Sequence, residues 1–235
     1  METAKTQPKV FQILDGTMLK IIAMVCMVFD HVGDMFFPGV MWPRMIGRLA
    51  MPLFAFCIAE GFRYTHDKKK YLIRMGIFAL VSEIPFDLAF TGTIDLSHQN
   101  IMLTFFLSIL ALMLYNLVSY SSDGKKRAWR IILGILIVLS IAALALLLKA
   151  DYSVFAVISV FLFYELRNTP YPVRELAGVG FLAVTRTMGF YLFTGVSIIP
   201  LLLYNGKKGK GLKWLFYAFY PGHLLILFAI KKFVG

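Results

Sequence analysis

Two carboxylates and an imidazole interrupt an apolar stretch near the start of the sequence. Residues 25–36 read VCMVFDHVGDMF, and Asp30, His31 and Asp34 stand where a membrane helix usually presents aliphatic side chains. An ionisable group in hydrocarbon needs a partner or a water-filled cavity, so it is by default a functional candidate. An imidazole has an unperturbed pKa of about 6.5, which suits proton transfer at neutral pH. We therefore predict that His31 is a general base.

Helical spacing limits which residues can assist His31. Residues three or four apart share a helix face, whereas adjacent residues point about 100° apart. Asp34 is therefore the carboxylate best placed in this helix to orient the imidazole, with Asp30 as the other choice. Arg48, at a similar depth on the next helix, is expected to neutralise Asp30 and keep it ionised.

Further ionisable residues lie in or beside later apolar runs. Depths counted at about 1.5 Å per residue distribute them across the bilayer, which predicts a polar chamber that binds substrate. His223 follows a Pro-Gly pair, so it could instead cap carbonyls freed by a helix break. We expect no metal site, although oxygen ligands of this kind suit magnesium or calcium. The predicted substrate-binding residues are Glu60, Arg63, Glu83, Asp87, Arg186 and His223.

Composition indicates the elements that position these residues. The chain has 235 residues, of which 59% are hydrophobic and 16% charged, and its mean hydropathy is +0.75. These values are typical of a membrane protein. The apolar runs predict an all-α, polytopic helix bundle, a single domain over residues 1–235, with a polar segment at 1–14 and no soluble domain. Eight or nine spans are expected, near residues 17–37, 45–65, 70–91, 101–120, 131–149, 152–167, 175–189, 190–205 and 214–234.

The positive charge is explained by membrane topology. The net charge is +11, but most basic residues fall in alternate short breaks between spans, which argues against a nucleic-acid partner. This pattern predicts a multi-pass protein of a bacterial-type cytoplasmic membrane with its amino terminus in the cytoplasm. Lys231 and Lys232 do not fit this pattern, because they would then lie outside.

Four motifs resemble the TraX family of polytopic membrane proteins. The first three combine a DH pair, a GRLAFPLFAF-like span and an S-x-x-PF span, and the fourth is a carboxyl-terminal motif. They read LKIIAMVCMVFDHVG at 19–33, RMIGRLAMPLFAFCIAEGF at 44–62, KKYLIRMGIFALVSEIPFDLAF at 69–90 and FYPGHLLIL at 219–227. The resemblance implies a membrane-embedded acyltransferase that uses acetyl-CoA, as in acetylation of a pilin amino terminus. The residues on the family's motif positions are Asp30, His31, Arg48, Glu60, Glu83 and His223.

This resemblance gives the polar residues chemical roles. Cytosolic acetyl-CoA would meet an amine or hydroxyl of a secreted or membrane-anchored acceptor through the polar chamber, and basic inner loops could hold the CoA phosphates. Arg48 is expected to stabilise the oxyanion. Direct transfer and a two-step route through acylated His31 or His223 both fit the sequence. A homodimer is compatible with either route.

Two readings from other functional classes compete with the enzyme. A proton-coupled transporter would also need buried carboxylates, histidines and broken helices, but the sequence lacks the internal repeat that many transporters show. A membrane assembly factor that binds a pilin-like helix without catalysis would need no deep charges. Replacing those charges by neutral side chains distinguishes the assembly factor from the enzyme.

Overall fold

A computed structural model describes residues 11–119, 127–185 and 189–234, and it is a bundle of α-helices. The predicted all-α class is confirmed. Two short 3-10 segments, Leu166–Asn168 and Gly189–Ser197, join some of the helices. The helices are α1 (Gly16–Phe36), α2 (Met41–Gly47), α3 (Ala50–Tyr64), α4 (Lys68–Phe90), α5 (Ile101–Ser119), α6 (Arg127–Leu147), α7 (Ser153–Glu165), α8 (Val173–Thr185), α9 (Ile198–Leu202) and α10 (Lys213–Val234).

The predicted spans correspond to helical segments of the structure. The second predicted span is divided into α2 and α3 by a break at residues 48 and 49, and the eighth consists of the 3-10 segment Gly189–Ser197 followed by α9. Within the described residues, four helical segments are long and apolar enough to cross a membrane: Met41–Tyr64, Ile101–Ser119, Ala128–Leu147 and Lys213–Phe233. The protein is therefore a membrane protein with several apolar helices.

Polar residues at the start of two helices explain where α1 and α4 begin. The Asp15 carboxylate accepts hydrogen bonds from the N–H groups of Thr17 and Met18, at 2.8 and 2.9 Å, and so caps α1. Asp67 caps α4 by accepting from the Lys70 N–H at 2.9 Å. These bonds satisfy N–H groups that have no partner within the first helical turn.

The loops define two ends of the bundle. At one end, Leu14 N–H donates to the Leu203 carbonyl at 2.9 Å, and Thr17 Oγ1 donates to the Lys210 carbonyl at 2.8 Å. We call this end, which includes residues 14–20, 64–70 and 204–213, the basic end. At the other end, Gln99 N–H donates to the Lys149 carbonyl at 3.2 Å. That contact joins residues 91–100 to residues 148–152, and we call this the opposite end.

The interior of the bundle is built around α3. Leu53, Phe56 and Phe62 of this helix are fully buried, and α3 packs against α1, α5, α7 and α8. In contrast, α6 exposes a succession of large aliphatic side chains, including Leu136 and Leu139, as expected of a helix surrounded by lipid. The polar residues considered below lie mainly on α1, α2, α4 and α10.

Candidate functional site

Two histidines from opposite ends of the chain meet in the bundle. Nδ1 of His31, on α1, lies 2.8 Å from Nε2 of His223, on α10. The rings are nearly parallel, at 9°, with centroids 5.0 Å apart. The other His223 nitrogen, Nδ1, lies 2.8 Å from the Phe219 carbonyl oxygen. His223 is buried. The 2.8 Å contact brings together two predicted site residues that are 192 positions apart in sequence.

The flanking carboxylates are paired with arginines. Asp30 Oδ1 lies 3.3 Å from Arg44 Nε and 3.6 Å from Arg48 Nη2. Asp34 contacts Arg44. The expected Asp30–Arg48 pair is therefore present, whereas His31 Nδ1 is oriented by His223 rather than by Asp34. Arg44 was missed as a site residue, although its spacing of four from Arg48 places both on one helix face.

Two glycines permit this arrangement. A Cβ atom at Gly47 would overlap the Asp30 side chain, and one at Gly33 would lie 2.8 Å from Pro43 Cβ. Helices α1 and α2 can therefore approach closely only because glycines occupy the crossing. The close approach places Asp30 within reach of Arg44 and Arg48 on the α2 side.

A small cavity lies beside His31. Its volume is about 30 Å³, and its polar lining comes from Asp30, His31, Asp151, Tyr152 and Tyr220. Arg48 Nη1 donates to the Tyr152 hydroxyl oxygen at 3.2 Å. Asp151 and Tyr152 were not predicted as site residues, because Asp151 stands in the short break between two predicted spans, Tyr152 begins the second of them, and neither belongs to a recognisable motif.

The turn that carries Tyr152 is conformationally strained. Lys149, Tyr152 and Ser153 have φ angles of 51°, 54° and 42°, in the left-handed region that side chains other than glycine rarely adopt. Each such residue costs on the order of 1–3 kcal/mol, which contacts with the surrounding structure must offset. The Thr104 hydroxyl helps to hold the turn by donating to the Asp151 carbonyl at 2.6 Å. Strain of this kind is typical of functional sites.

A second, much larger cavity adjoins the first. Its volume is about 460 Å³, and it extends to the loops of the basic end. Basic side chains line it there: Lys20, His66, Arg74, Lys208 and Lys213. Five residues line both cavities, so the large cavity and the space beside His31 meet at these side chains: Met27, Phe54, Ile101, Phe105 and Tyr220.

Glu60 lines the large cavity but belongs to a separate cluster. Arg174 Nη1 donates to Glu60 Oε1 at 2.9 Å, and the Tyr204 hydroxyl donates to Oε2 at 3.1 Å. Arg63 Nη1 lies 3.8 Å from Glu60 Oε1, and the Arg63 side chain is 39% exposed. Arg174 also contacts Glu175 at 2.8 Å. The Glu60 cluster ties α3 to α8 and to the segment after α9, and the structure does not bring it to His31.

Glu83 and Asp87 hold the loop at the opposite end. Glu83 accepts from the Asn100 side chain and, at 3.4 Å, from the Asn100 N–H. Asp87 Oδ2 accepts from the Asp95 N–H at 3.0 Å. Both predicted binding residues therefore have partners in the segment that precedes α5. The remaining predicted site residue, Arg186, lies outside the described residues.

Comparison with known proteins identifies the family. The model of the family described as TraX protein matches residues 15–231. This chain belongs to the TraX family. The chain is 29% identical over 244 residues to a probable fimbrial assembly protein FimC, serogroup H1, of Dichelobacter nodosus, which covers 92% of the chain and 95% of that protein. It is also 35% identical over 60 residues to an uncharacterized protein of Rickettsia prowazekii (strain Madrid E), which covers 26% of the chain and 23% of that protein. No solved structure matches the chain.

Family membership confirms the resemblance of the four sequence motifs to the TraX family. The matched range includes both histidines and the arginines that pair with Asp30. The homologous fimbrial assembly protein connects TraX-type sequences with pilus-related membrane proteins.

Proposed function

We propose that this TraX-family protein transfers an acetyl group from cytosolic acetyl-CoA to an amine or hydroxyl of a secreted or membrane-anchored acceptor, such as a pilin-like amino terminus. The observation that carries the proposal is the pair of adjoining cavities, one large and basic, the other small and containing His31. The name of the fimbrial assembly relative supports an acceptor of the pilin type.

The large cavity suits the donor. Acetyl-CoA is an extended molecule with several phosphate charges, and pockets for drug-sized ligands have volumes of about 300–1,000 Å³. The observed 460 Å³ lies in that range. Lys208 and Lys213 at the basic end offer point charges for the phosphates. We place the basic end in the cytoplasm, where acetyl-CoA is available, because the short basic loops also favour that orientation.

In this proposal the reacting groups meet at the small cavity. We place the thioester carbonyl beside His31, past the apolar residues that the two cavities share. The acceptor would enter from the opposite end, where the strained turn carries Tyr152. An acceptor ammonium would also find two carboxylates there, since Asp30 and Asp151 line the same cavity.

In the proposed reaction, an acceptor ammonium first loses one proton to water. His31 then takes a proton from the neutral amine or hydroxyl as its nitrogen or oxygen bonds to the thioester carbon. The carbonyl oxygen gains negative charge, which Arg48 stabilises together with the Tyr152 hydroxyl that it contacts. The carbon–sulfur bond then breaks, and the CoA sulfur receives the proton from His31. The products are CoA and the acetylated acceptor, and no metal is needed to balance the step.

Release of free CoA from acetyl-CoA tests the proposal. The purified protein in proteoliposomes, given acetyl-CoA and an amine-bearing acceptor peptide, should release CoA in proportion to acetylated peptide. His31→Ala should reduce the rate by about 10²–10⁴-fold, the range expected for loss of a general base. His98→Ala is the matched control, because His98 is an exposed histidine in the loop before α5. Equal rates for His31→Ala and wild-type protein would contradict the assignment of the base.

The non-catalytic assembly factor is the second candidate, and the name of the fimbrial assembly relative is also consistent with it. In that case, pilus assembly should persist in cells that carry a folded His31→Ala protein. If the protein is instead the proposed enzyme, cells with His31→Ala should fail in pilus assembly or pilin modification although the variant protein remains in the membrane.

A further inference from the structure

We propose that His223 is a positioning residue that fixes the tautomer of His31, so that Nε2 of His31 is the nitrogen that exchanges the proton. The inference deepens the proposed acyl transfer and rests on it for its functional meaning. The tautomer itself follows from the hydrogen bonds of the resting protein.

His223 donates a hydrogen bond to the backbone through Nδ1. A carbonyl oxygen can only accept a hydrogen bond, so the 2.8 Å contact with the Phe219 carbonyl requires a proton on His223 Nδ1. A neutral imidazole carries one N–H proton. Nε2 of neutral His223 is therefore an acceptor.

The tautomer of His223 determines the tautomer of His31. Nδ1 of His31 lies 2.8 Å from the acceptor Nε2 of His223, so Nδ1 of His31 must be the donor. Neutral His31 then has its lone pair on Nε2. Nε2 is therefore the His31 nitrogen that remains available to a group in the small cavity, which His31 lines.

Packing restrains both rings in this arrangement. The Phe219 ring stacks on His223, with centroids 4.5 Å apart and planes at 7°. The edge of the Phe90 ring contacts His31, with centroids 5.2 Å apart at 85°. His223 is buried. Rotation of either ring would therefore break a hydrogen bond and disturb an aromatic contact.

The carboxylates near His31 have other partners than its Nδ1. On the α1 and α2 side, Asp30 lies near Arg44 and Arg48, and Asp34 contacts Arg44. The Asp151 carboxylate, from the turn before α7, accepts from the Tyr152 N–H at 2.9 Å. The identified partner of His31 Nδ1 is thus a neutral imidazole, whereas the corresponding partner in a serine-hydrolase triad is a carboxylate.

The arrangement has a chemical consequence. When His31 gains a proton at Nε2, its positive charge is shared over the ring, and the Nδ1–H bond to His223 becomes a charge-assisted bond, which is stronger than a neutral one. The two nitrogens of His223 are already used, one as acceptor and one as donor. His223 is therefore not the acylated residue in this scheme, and a histidine nucleophile, where one acts, is Nε2 of His31.

Side-chain isosteres test the inference. The amide oxygen of glutamine can accept at roughly the position of Nε2, asparagine is too short to do so, and alanine offers no acceptor. We expect His223→Ala and His223→Asn to lower kcat by about 10- to 100-fold, as misorientation of a base does. His223→Gln should recover most of that loss. Equal kcat values for the Gln, Asn and Ala variants would overturn the positioning role, whatever their folding yield.

Nitrogen NMR tests the tautomer without any activity. In protein labelled with ¹⁵N-histidine, a scalar coupling should connect protonated Nδ1 of His31 with unprotonated Nε2 of His223, and His223→Gln should abolish it. A resting protein with unprotonated Nδ1 on His31 would overturn the inference. Observation of the coupling in a protein that releases no CoA would instead contradict only the proposed function.

Discussion

The ion pair between Asp30 and Arg48 allows a quantitative test of the site. Asp30 Oδ1 and Arg48 Nη2 are 3.6 Å apart, and the two side chains are 18% and 10% exposed. At an effective dielectric constant of about 20, two unit charges at this distance attract by about 5 kcal/mol before the cost of desolvation. Contacting pairs in double-mutant cycles show coupling of roughly 0.5–3 kcal/mol. We expect a value near the upper end, about 2–3 kcal/mol, because both groups lie away from water.

The assay is acetyl transfer by Asp30→Asn, Arg48→Gln and the double variant. A coupling of about 2.7 kcal/mol corresponds to roughly 10²-fold in kcat/KM. Each single change should therefore cost about 10²-fold, and the double variant should cost about the same as either single change. The comparison pair is Asp30→Asn with Arg63→Gln, which should be additive because Arg63 lies at the basic end near Glu60. A double Asp30/Arg48 variant that is about 10⁴-fold slower than wild type would refute the reasoning.

Three further predictions concern donor binding, packing and pH. Cys57 lines the large cavity, so acetyl-CoA should slow the alkylation of its thiol. Cys26 does not line that cavity and serves as the control. If acetyl-CoA protects both thiols equally from alkylation, or protects neither, this donor site is wrong. Gly47→Ala should destabilise the protein by about 1–3 kcal/mol in thermal unfolding followed by thiol exposure, because its Cβ would overlap Asp30, whereas Gly39→Ala meets no atom within 4 Å and should be tolerated. The Lys70 N–H bond to Asp67 holds the pKa of the Asp67 carboxyl below its ordinary value of 3.8. Asp67→Ala should therefore lower the thermal midpoint at pH 7, and the difference in midpoint between the variant and wild type should vanish as the pH falls through the lowered pKa. A difference in midpoint that persists unchanged at low pH would contradict the cap.

The sequence was sufficient to predict the helical class and one of the two arginine partners of Asp30, Arg48. Apolar runs of about 20 residues determine helices in a bilayer, since only internal hydrogen bonds can satisfy the backbone there. Asp30 and Arg48 could be matched because they lie at similar depths on consecutive helices. The break at residues 48 and 49 could not be predicted, because Pro52 falls in the first turn of α3, where proline is tolerated and gives no decisive signal.

The partner of His31 could not be derived from local spacing. Periodicity ranks only residues on the same helix, so it favoured Asp34, whereas the actual contact comes from His223 on α10. Sequence patterns also treat Asp151 and Tyr152 as an ordinary turn. Their position beside His31 depends on the left-handed backbone of that turn and on its contact with residues before α5. Long-range packing, rather than any local motif, decides these contacts.

The most direct test separates donor and acceptor across a membrane. Proteoliposomes with the basic end facing outward would receive labelled acetyl-CoA outside, while an acceptor peptide with a free amino terminus is enclosed inside. We predict that wild-type protein labels the enclosed peptide and that His31→Ala does not, although acetyl-CoA still protects Cys57 in both. Labelling of the enclosed peptide by His31→Ala at the wild-type rate would contradict the account.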